Sequence, residues 1–364
     1  MAKYTVAVAG ATGYAGGEAL RILAAHPAFE VTCVAGHSSV GDKLGKHMPH
    51  IPQLADLVVE DTTPGALNGH DVIILALPHG ASGAIAAQLD PNAVVVDLGA
   101  DHRLEERSAW DEYYGGDFYE HWTYGMPELI VGRDSDGGYL RQRVAIPGTK
   151  RIAGPGCNVT AVTLAMQPAV AENLIEPTDI VADLVVGYSG AGKNLKRANL
   201  LAAEAFGSAV PYSVGGTHRH IPEILQNLAH AAGLGAADAE RFTLGFTPIL
   251  APMSRGILAS VSARMTDKAM AMTDAEIHGI WERAYEGQEF MVVLPEGVLP
   301  ATQNIIGSNA AHLQVVVDRK ARRLLAFAAI DNLNRGTAGQ AVQSLNIALG
   351  FPEDQGLTKI GVAP

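Results

Sequence analysis

The chain has 364 residues and a formal net charge of −12; 48% of its residues are hydrophobic and 18% charged. So apolar a composition suits a sizeable core and excludes a disordered polyelectrolyte, and at about 100–200 residues per domain the length suggests two or three domains. The acidic balance excludes the basic face that nucleic-acid binders carry, yet a small anionic substrate needs only a few local cations.

The chain passes from Met1-Ala2-Lys3-Tyr4 straight into the apolar run Thr5–Ala9, without the apolar segment and cleavage site of a secretory signal. No apolar run reaches the roughly 18 residues of a membrane helix. The two cysteines, Cys33 and Cys157, need no disulfide framework beside so large a core. A cytoplasmic protein with neither a nucleic-acid nor a membrane partner is expected.

In chain order, Tyr4–Ala9 is a compact β-rich run, Gly10–Gly16 a tight turn, and Gly17–His26 a helix with Leu20, Leu23 and Ala24 on one side. Phe29–Ala35, Val72–Leu77 and Ala93–Leu98 read as further strands. Near-continuous apolar strands separated by helices indicate a parallel sheet covered on both faces. Residues 101–149 are rich in aromatics and glycine with weak periodicity, which suits a long ordered excursion from the sheet. Gly154-Pro155-Gly156-Cys157 opens a helix running through Met166. From Ile180 onward the strands lengthen: Ile180–Tyr188, Phe242–Leu250, Gly256–Met265, His312–Val317 and Leu324–Ile330. They suit a mixed or antiparallel sheet in a second domain. Gly336–Leu349 again has helical spacing, with Ala341, Leu345 and Leu349 on one stripe. The fold class is therefore α/β, a Rossmann-type parallel sheet followed by an α+β domain.

Gly10-x-x-Gly13-x-x-Gly16, between strand and helix, permits a tight turn and close approach of the backbone to a pyrophosphate at a helix N-terminus. The loop Gly10, Thr12, Gly13, Tyr14, Ala15, Gly16 is thus a candidate dinucleotide site. An NAD-binding chain usually places an acid about 20 residues on, at the end of the second strand. Here that strand ends in Ala35-Gly36-His37-Ser38-Ser39, and Lys43 follows. Hydroxyls and a cation suit a 2′-phosphate, so NADP(H) is the expected cofactor, against the plainer reading of an ordinary polar loop.

Cys157 follows a sharp Gly-Pro-Gly entry at the start of an apolar helix, a position expected to lower a thiol pKa. Cys33, inside a strand, reads as core. Among the 13 histidines, His218-Arg219-His220-Ile221-Pro222-Glu223 is the best source of a proton partner. His220 is slightly preferred over His218, with Glu223 one turn on to orient it. No ligand cluster accompanies this pair, so no metal is expected. Ser189-Gly190-Ala191-Gly192-Lys193 resembles the end of a P-loop without its hydroxyl for magnesium and reads as an anion-friendly loop. Arg103 follows the strand Ala93–Leu98 and falls at a carboxyl end, where substrates of open α/β sheets bind; a salt bridge to Asp97 or Asp101 is the plainer alternative.

Gly10–Gly16, Pro78-His79-Gly80, Asp97–Leu104, Tyr124–Leu129, Pro155-Gly156-Cys157, Ser189–Lys193, His218–Ile224, Phe246-Thr247-Pro248, Pro252–Ile257 and Ala338–Asn346 occur in an order that resembles the N-acetyl-gamma-glutamyl-phosphate reductase family of arginine biosynthesis, over nearly the whole chain. The resemblance implies an NADP-binding domain over 1–156, a catalytic and oligomerisation domain over 157–333, and a C-terminal helix and tail over 334–364 that return to the first domain. It implies a thioester on Cys157, His220 as acid and base, and a homo-oligomer acting on a small acyl phosphate. Substrate or phosphate contacts would fall to Arg103, Lys193, His218, Glu223 and Arg255. Pro78, His79, Gly80, Ser189, Gly190 and Asn332 would lie against the cofactor. Two positions depart from the family pattern: Asn158 stands where Tyr is frequent, an acceptable helix cap, and Gly99 where Ser is frequent, which removes a hydroxyl from the phosphate side. Rival readings are a sister reductase of aspartyl phosphate or of carrier-bound aminoadipyl phosphate, and a non-catalytic NADP-binding protein.

Overall fold

The computed structural model describes residues 3–193 and 202–363. Its first sheet has seven strands in the order Glu60–Asp61, Phe29–Gly36, Tyr4–Ala9, Val72–Leu75, Val94–Asp97, Arg151–Ala153, Thr123–Tyr124. Every neighbouring pair is parallel. Val6–Ala9 and Val72–Leu75 are wholly buried, as strands covered on both faces must be. From Tyr4–Ala9 the order runs outward on one side and then reverses to Val72–Leu75 on the other. That reversal opens a crevice at the strands' carboxyl ends, where ligands of such sheets bind. The turn after Tyr4–Ala9 opens into it.

The helix after this turn spans Tyr14–Ala25, three residues earlier than the apolar stripe implies, because the glycines are part of its first turn. The excursion resolves into the helix Arg107–Tyr113, the edge strand Thr123–Tyr124 and the hairpin Ile130–Arg133/Tyr139–Arg141.

The second sheet, also of seven strands, runs Val210–Pro211, Leu244–Ala251, Ile175–Gly187, Ile257–Met265, Arg323–Ile330, Ala311–Asp318, Met291–Val293. It is mixed, with parallel pairs at Ile175–Gly187/Leu244–Ala251 and at Met291–Val293/Ala311–Asp318 and antiparallel pairs between. Helices Cys157–Ala171, Ile221–Ala231 and Asp274–Tyr285 cover one face. Residues 158–170 are buried on every side. The helix therefore anchors its own first residue rigidly. On the other face the strands alternate, leaving Leu258, Leu325, Phe327, Val185 and Val316 partly or fully exposed.

The C-terminal helix Gly339–Leu349 follows a π-helical turn, Asn334–Ala338. Its Ala341, Val342, Leu345 and Ala348 join the core of Val6, Leu20 and Val96 in the first sheet's domain.

Candidate active site

The cofactor loop depends on missing side chains. Gly10 has φ +73°, and a Cβ there would sit 2.1 Å from the Ala76 carbonyl oxygen; a Cβ on Gly16 would sit 2.2 Å from the Gly10 carbonyl oxygen. Gly13 is the N-cap of the following helix and contributes no side-chain cap, which leaves the helix's first N–H groups for an anion. Thr12 and Ser39 share a hydroxyl–hydroxyl hydrogen bond of 3.1 Å. Ser39 is buried, whereas Ser38 and Tyr14 are exposed. The Lys43 amine pairs with Asp56 at 2.7 Å, an exposed contact. Thus, contrary to expectation, it does not stand free beside the second strand. The neighbouring edge strand carries two carboxylates, Glu60 and Asp61, opposite Ala35 and Gly36.

Cys157 is the first residue of its helix, with Gly156 as N-cap. Asn158 therefore lies inside the helix rather than capping it, and its buried Oδ1 has no partner among the described residues. A Cβ on Gly156 would lie 2.7 Å from His220 Nε2. The bare glycine thus lets the imidazole settle beside the head of the helix. On the other side Gly336 packs against Cys157, where a Cβ would approach the cysteine Cβ to 2.7 Å. Cys157 as a whole residue is half-buried between these contacts.

The thiol's pKa is raised, not lowered as the sequence suggested. Burial pushes it up to about 11, outweighing the backbone N–H of Asn158 and the charge of Arg103. His220 is held well below its ordinary value, first by burial and then by His218, Arg103 and His79. The resting pair is a neutral thiol beside a neutral imidazole. No hydrogen bond joins them, as is common before substrate arrives. His220 Nδ1 is buried without a partner among the described residues. The His220 backbone N–H donates to His218 Nδ1 at 3.0 Å. Burial, then Arg219, holds His218 down at about 4.

Glu223 does not orient His220. Its Oε1 accepts the Gly156 backbone N–H at 3.0 Å and the Tyr124 hydroxyl at 2.7 Å, while its Oε2 faces Arg103 Nη1 at 3.4 Å. Arg103, equally buried, donates from Nε to the Gly154 carbonyl at 2.7 Å and from Nη2 to the Leu98 carbonyl at 2.9 Å. Both residues therefore brace the Gly154–Cys157 bend. The carboxylate that faces Arg103 is Glu223, not Asp97 or Asp101. Tyr124 and Asn227, whose amide donates to the Tyr124 hydroxyl at 3.0 Å, complete the brace. The sequence singled out Tyr124 only as part of a motif and Asn227 not at all.

Arg255 is also engaged elsewhere. Its guanidinium pairs with Glu18 at 2.6 Å and Asp331 at 3.5 Å. Glu18 sits on the cofactor-side helix, so Arg255 ties the two domains together. Asn332 accepts the Gly256 N–H at 2.8 Å and donates to the Ser189 hydroxyl at 3.0 Å, fixing the Ser189-Gly190 turn. Lys193 is exposed at the end of that turn. Pro78-His79-Gly80 is an exposed turn, pinned where Gly80 and Gly83 donate their N–H groups to Asp101. A Cβ on Gly99 would meet Ser82 Oγ at 2.8 Å and Asp97 Oδ1 at 2.9 Å. Here the hydroxyl beside Asp97 comes from Ser82, 2.9 Å away. Cys33 is buried and donates to the Ala66 carbonyl at 3.6 Å. Among the described residues no group of three or more His, Cys, Asp or Glu could hold a metal ion. Nor is any described helix long and apolar enough to cross a membrane.

A parallel sheet with a glycine turn at its switch point, joined to a mixed sheet that carries a cysteine at a helix head, defines a two-domain dehydrogenase of the semialdehyde-dehydrogenase type. The family models described as semialdehyde dehydrogenase, NAD binding domain, and semialdehyde dehydrogenase, dimerisation domain, match residues 5–133 and 157–332. The chain belongs to the N-acetyl-gamma-glutamyl-phosphate reductase family. It is 82% identical to the N-acetyl-gamma-glutamyl-phosphate reductase of Bifidobacterium longum (strain DJO10A) over 364 residues, 100% of both chains. It is 52% identical to that of Leifsonia xyli subsp. xyli over 361 residues, 99% of each. Aspartate semialdehyde dehydrogenase II from Vibrio cholerae, solved with ASA, has the same fold at a TM-score of 0.66 and 15% identity, covering 95% of this chain and 98% of that one.

Proposed function

We propose that this chain reduces N-acetyl-L-glutamyl 5-phosphate to N-acetyl-L-glutamate 5-semialdehyde and phosphate, with NADPH as reductant and Cys157 as the acyl carrier, in arginine biosynthesis. One observation carries the assignment of roles: Cys157 heads a buried helix with the His220 ring against its glycine cap. The residues present fit NADP(H). The Gly10–Gly16 turn leaves free helix N–H groups for a pyrophosphate, and just past the second strand, where NAD-binding chains usually carry an acid, this chain has Ser39, hydrogen-bonded to Thr12. Ser38 and the Ser189-Gly190 turn held by Asn332 would face the same cofactor. When bound, it supplies a hydride.

His220 takes the thiol proton as the sulfur attacks the acyl carbon, and the carbon–oxygen bond to phosphate breaks. Phosphate leaves with that proton, and Cys157 holds the acyl group as a thioester. After hydride reaches the acyl carbon, the oxyanion collapses, the carbon–sulfur bond breaks, and the freed thiolate regains a proton from solvent. Backbone N–H groups at the head of the helix would hold the oxyanion. Glu223 and Arg103 act at one remove, keeping the Gly154–Cys157 bend in place for the attack.

In this reading the chain divides at 156/157 and 333/334, works in the cytoplasm, and forms a homo-oligomer through the open face of the second sheet, where Leu258, Leu325 and Phe327 lie. The assay that tests it follows NADP reduction with N-acetylglutamate semialdehyde plus phosphate, beside aspartate semialdehyde. Phosphate-dependent turnover with the first alone is expected. Preference for aspartate semialdehyde, or substantial turnover by Cys157→Ser, would falsify the scheme.

A further inference from the structure

Three fully buried side chains, distant in sequence, close a hydrogen-bonded ring. Glu128 Oε2 pairs with Arg335 Nη2, Arg335 Nη1 donates to Gln343 Oε1 at 2.6 Å, and Gln343 Nε2 donates to Glu128 Oε1 at 2.7 Å. Burial acts to raise the Glu128 pKa, but the charge and hydrogen bond of Arg335 outweigh it and hold the carboxylate below its ordinary value. A buried ion pair adds little stability over apolar side chains, because desolvation offsets the attraction. Its hydrogen bonds are directional, however, and what they direct is a π-helical turn, since Arg335 lies within Asn334–Ala338. Such turns are rare and recur at functional sites. The next residue is Gly336, where a Cβ would sit 2.7 Å from the Cys157 Cβ and 3.1 Å from its Cα. The ring is also tied to the helix Cys157–Ala171 itself. The Glu128 carbonyl accepts from Gln167 Nε2 at 3.1 Å, and Gln340, on the same helix as Gln343, donates to Thr160 Oγ1 at 3.5 Å.

We propose that Glu128, Arg335 and Gln343 are positioning residues for the nucleophile: their ring holds the π-turn so that Gly336 lies against Cys157 and limits the rotamers open to its sulfur. The inference rests on Cys157 as the acyl carrier in the reaction above and specifies what aims it. Glu223 and Arg103 fix the backbone that enters the helix, whereas the ring fixes the wall that its first side chain meets. A wall of bare backbone at Gly336 leaves the Cys157 Cβ one close neighbour and no slack on that side. Aim matters at this point, because a displacement of about 1 Å at a reacting centre can cost about a hundredfold in rate.

The test separates aim from stability. Glu128→Met combined with Arg335→Met replaces both charges by apolar chains, and Gln343 keeps Asn309 and Glu353 as partners. Tm of this double variant should stay close to the native value. Its kcat for phosphate-dependent NADP reduction with N-acetylglutamate semialdehyde should fall by about ten- to a hundredfold, with KM for NADP unchanged. Gly336→Ala leaves the ring intact and should show the same split, since the new Cβ must displace Cys157 or the turn. A double variant with native Tm and native kcat overturns the proposal. So does native kcat in Gly336→Ala, which decides the matter alone should the double variant fail to fold. A further readout needs no turnover: alkylation of Cys157 by iodoacetamide, followed on its peptide by mass spectrometry, should quicken several-fold in the folded double variant as the wall at Gly336 loosens. An unchanged rate also overturns the proposal. A native chain inactive with this semialdehyde, whose Cys157 alkylation still quickens in the double variant, would instead sink the reaction and leave the positioning role standing.

Discussion

The Glu223 carboxylate accepts the backbone N–H of Gly156 at 3.0 Å, across 67 residues of sequence. A carboxylate on one helix thus fixes the residue that caps the nucleophile's helix, while the Arg103 guanidinium it faces holds the carbonyl two residues earlier. Neither group needs to touch substrate to matter. Together they set the direction in which Cys157 leaves the bend.

Glu223→Gln should uncouple this brace. The amide keeps the volume but leaves the buried Arg103 charge uncompensated, a loss of roughly 3 kcal/mol. Thermal unfolding should show a lower Tm, and kcat should fall while NADPH affinity, read by fluorescence titration, stays near its original value. A drop in NADPH affinity with kcat unchanged would contradict the brace.

Cys157 should react slowly with iodoacetamide at neutral pH in the free enzyme. With the thiol pKa raised to about 11, the thiolate fraction at pH 7 is small and keeps growing past pH 9. A plateau below pH 8 in the alkylation rate would mean that the helix N-terminus, not burial, governs the sulfur.

Asp97 should make stability fall with rising pH. Burial is the largest influence on it and raises its pKa to about 7, against hydrogen bonds from Gly99 and Ser82. A carboxyl whose folded pKa lies above its unfolded value of about 4 favours folding most when protonated. Its contribution is therefore full below pH 4 and is lost as pH climbs to about 7. The Tm difference between the native chain and Asp97→Asn should shift in the variant's favour between pH 5 and pH 8; a constant difference refutes the assignment.

Glu18 and Arg255 should be energetically coupled across the two domains. A double-mutant cycle of Glu18→Gln and Arg255→Met should give a coupling energy of about 1–3 kcal/mol in unfolding. Additive effects would mean that the 2.6 Å contact contributes nothing.

Gly99→Ser, the substitution that would match the family pattern, should destabilise this chain by about 1–3 kcal/mol, because the new Cβ meets Ser82 and Asp97. Ser82→Gly in the same chain should recover most of that loss in Tm. If Gly99→Ser alone is neutral, the Ser82 hydroxyl does not fill that space.

The alternation of apolar runs and the Gly10–Gly16 turn fixed the parallel sheet, because burial on both faces and a positive φ at Gly10 are demands on single residues and near neighbours. The Gly154–Cys157 bend was legible for the same local reason. Partner choice was not. That Arg103 faces Glu223 and that Arg255 pairs with Glu18 and Asp331 could not be read, because a charge at a motif position looks free until a distant carboxylate or carbonyl takes it, and Tyr124 and Asn227 gave no signal of their own. The thiol's pKa followed burial by helices and turns far apart in the chain rather than its place on one helix. What sequence determined here was backbone shape, a local property; the tertiary structure decided which charges remain free, since desolvation and pairing depend on what folds against each group.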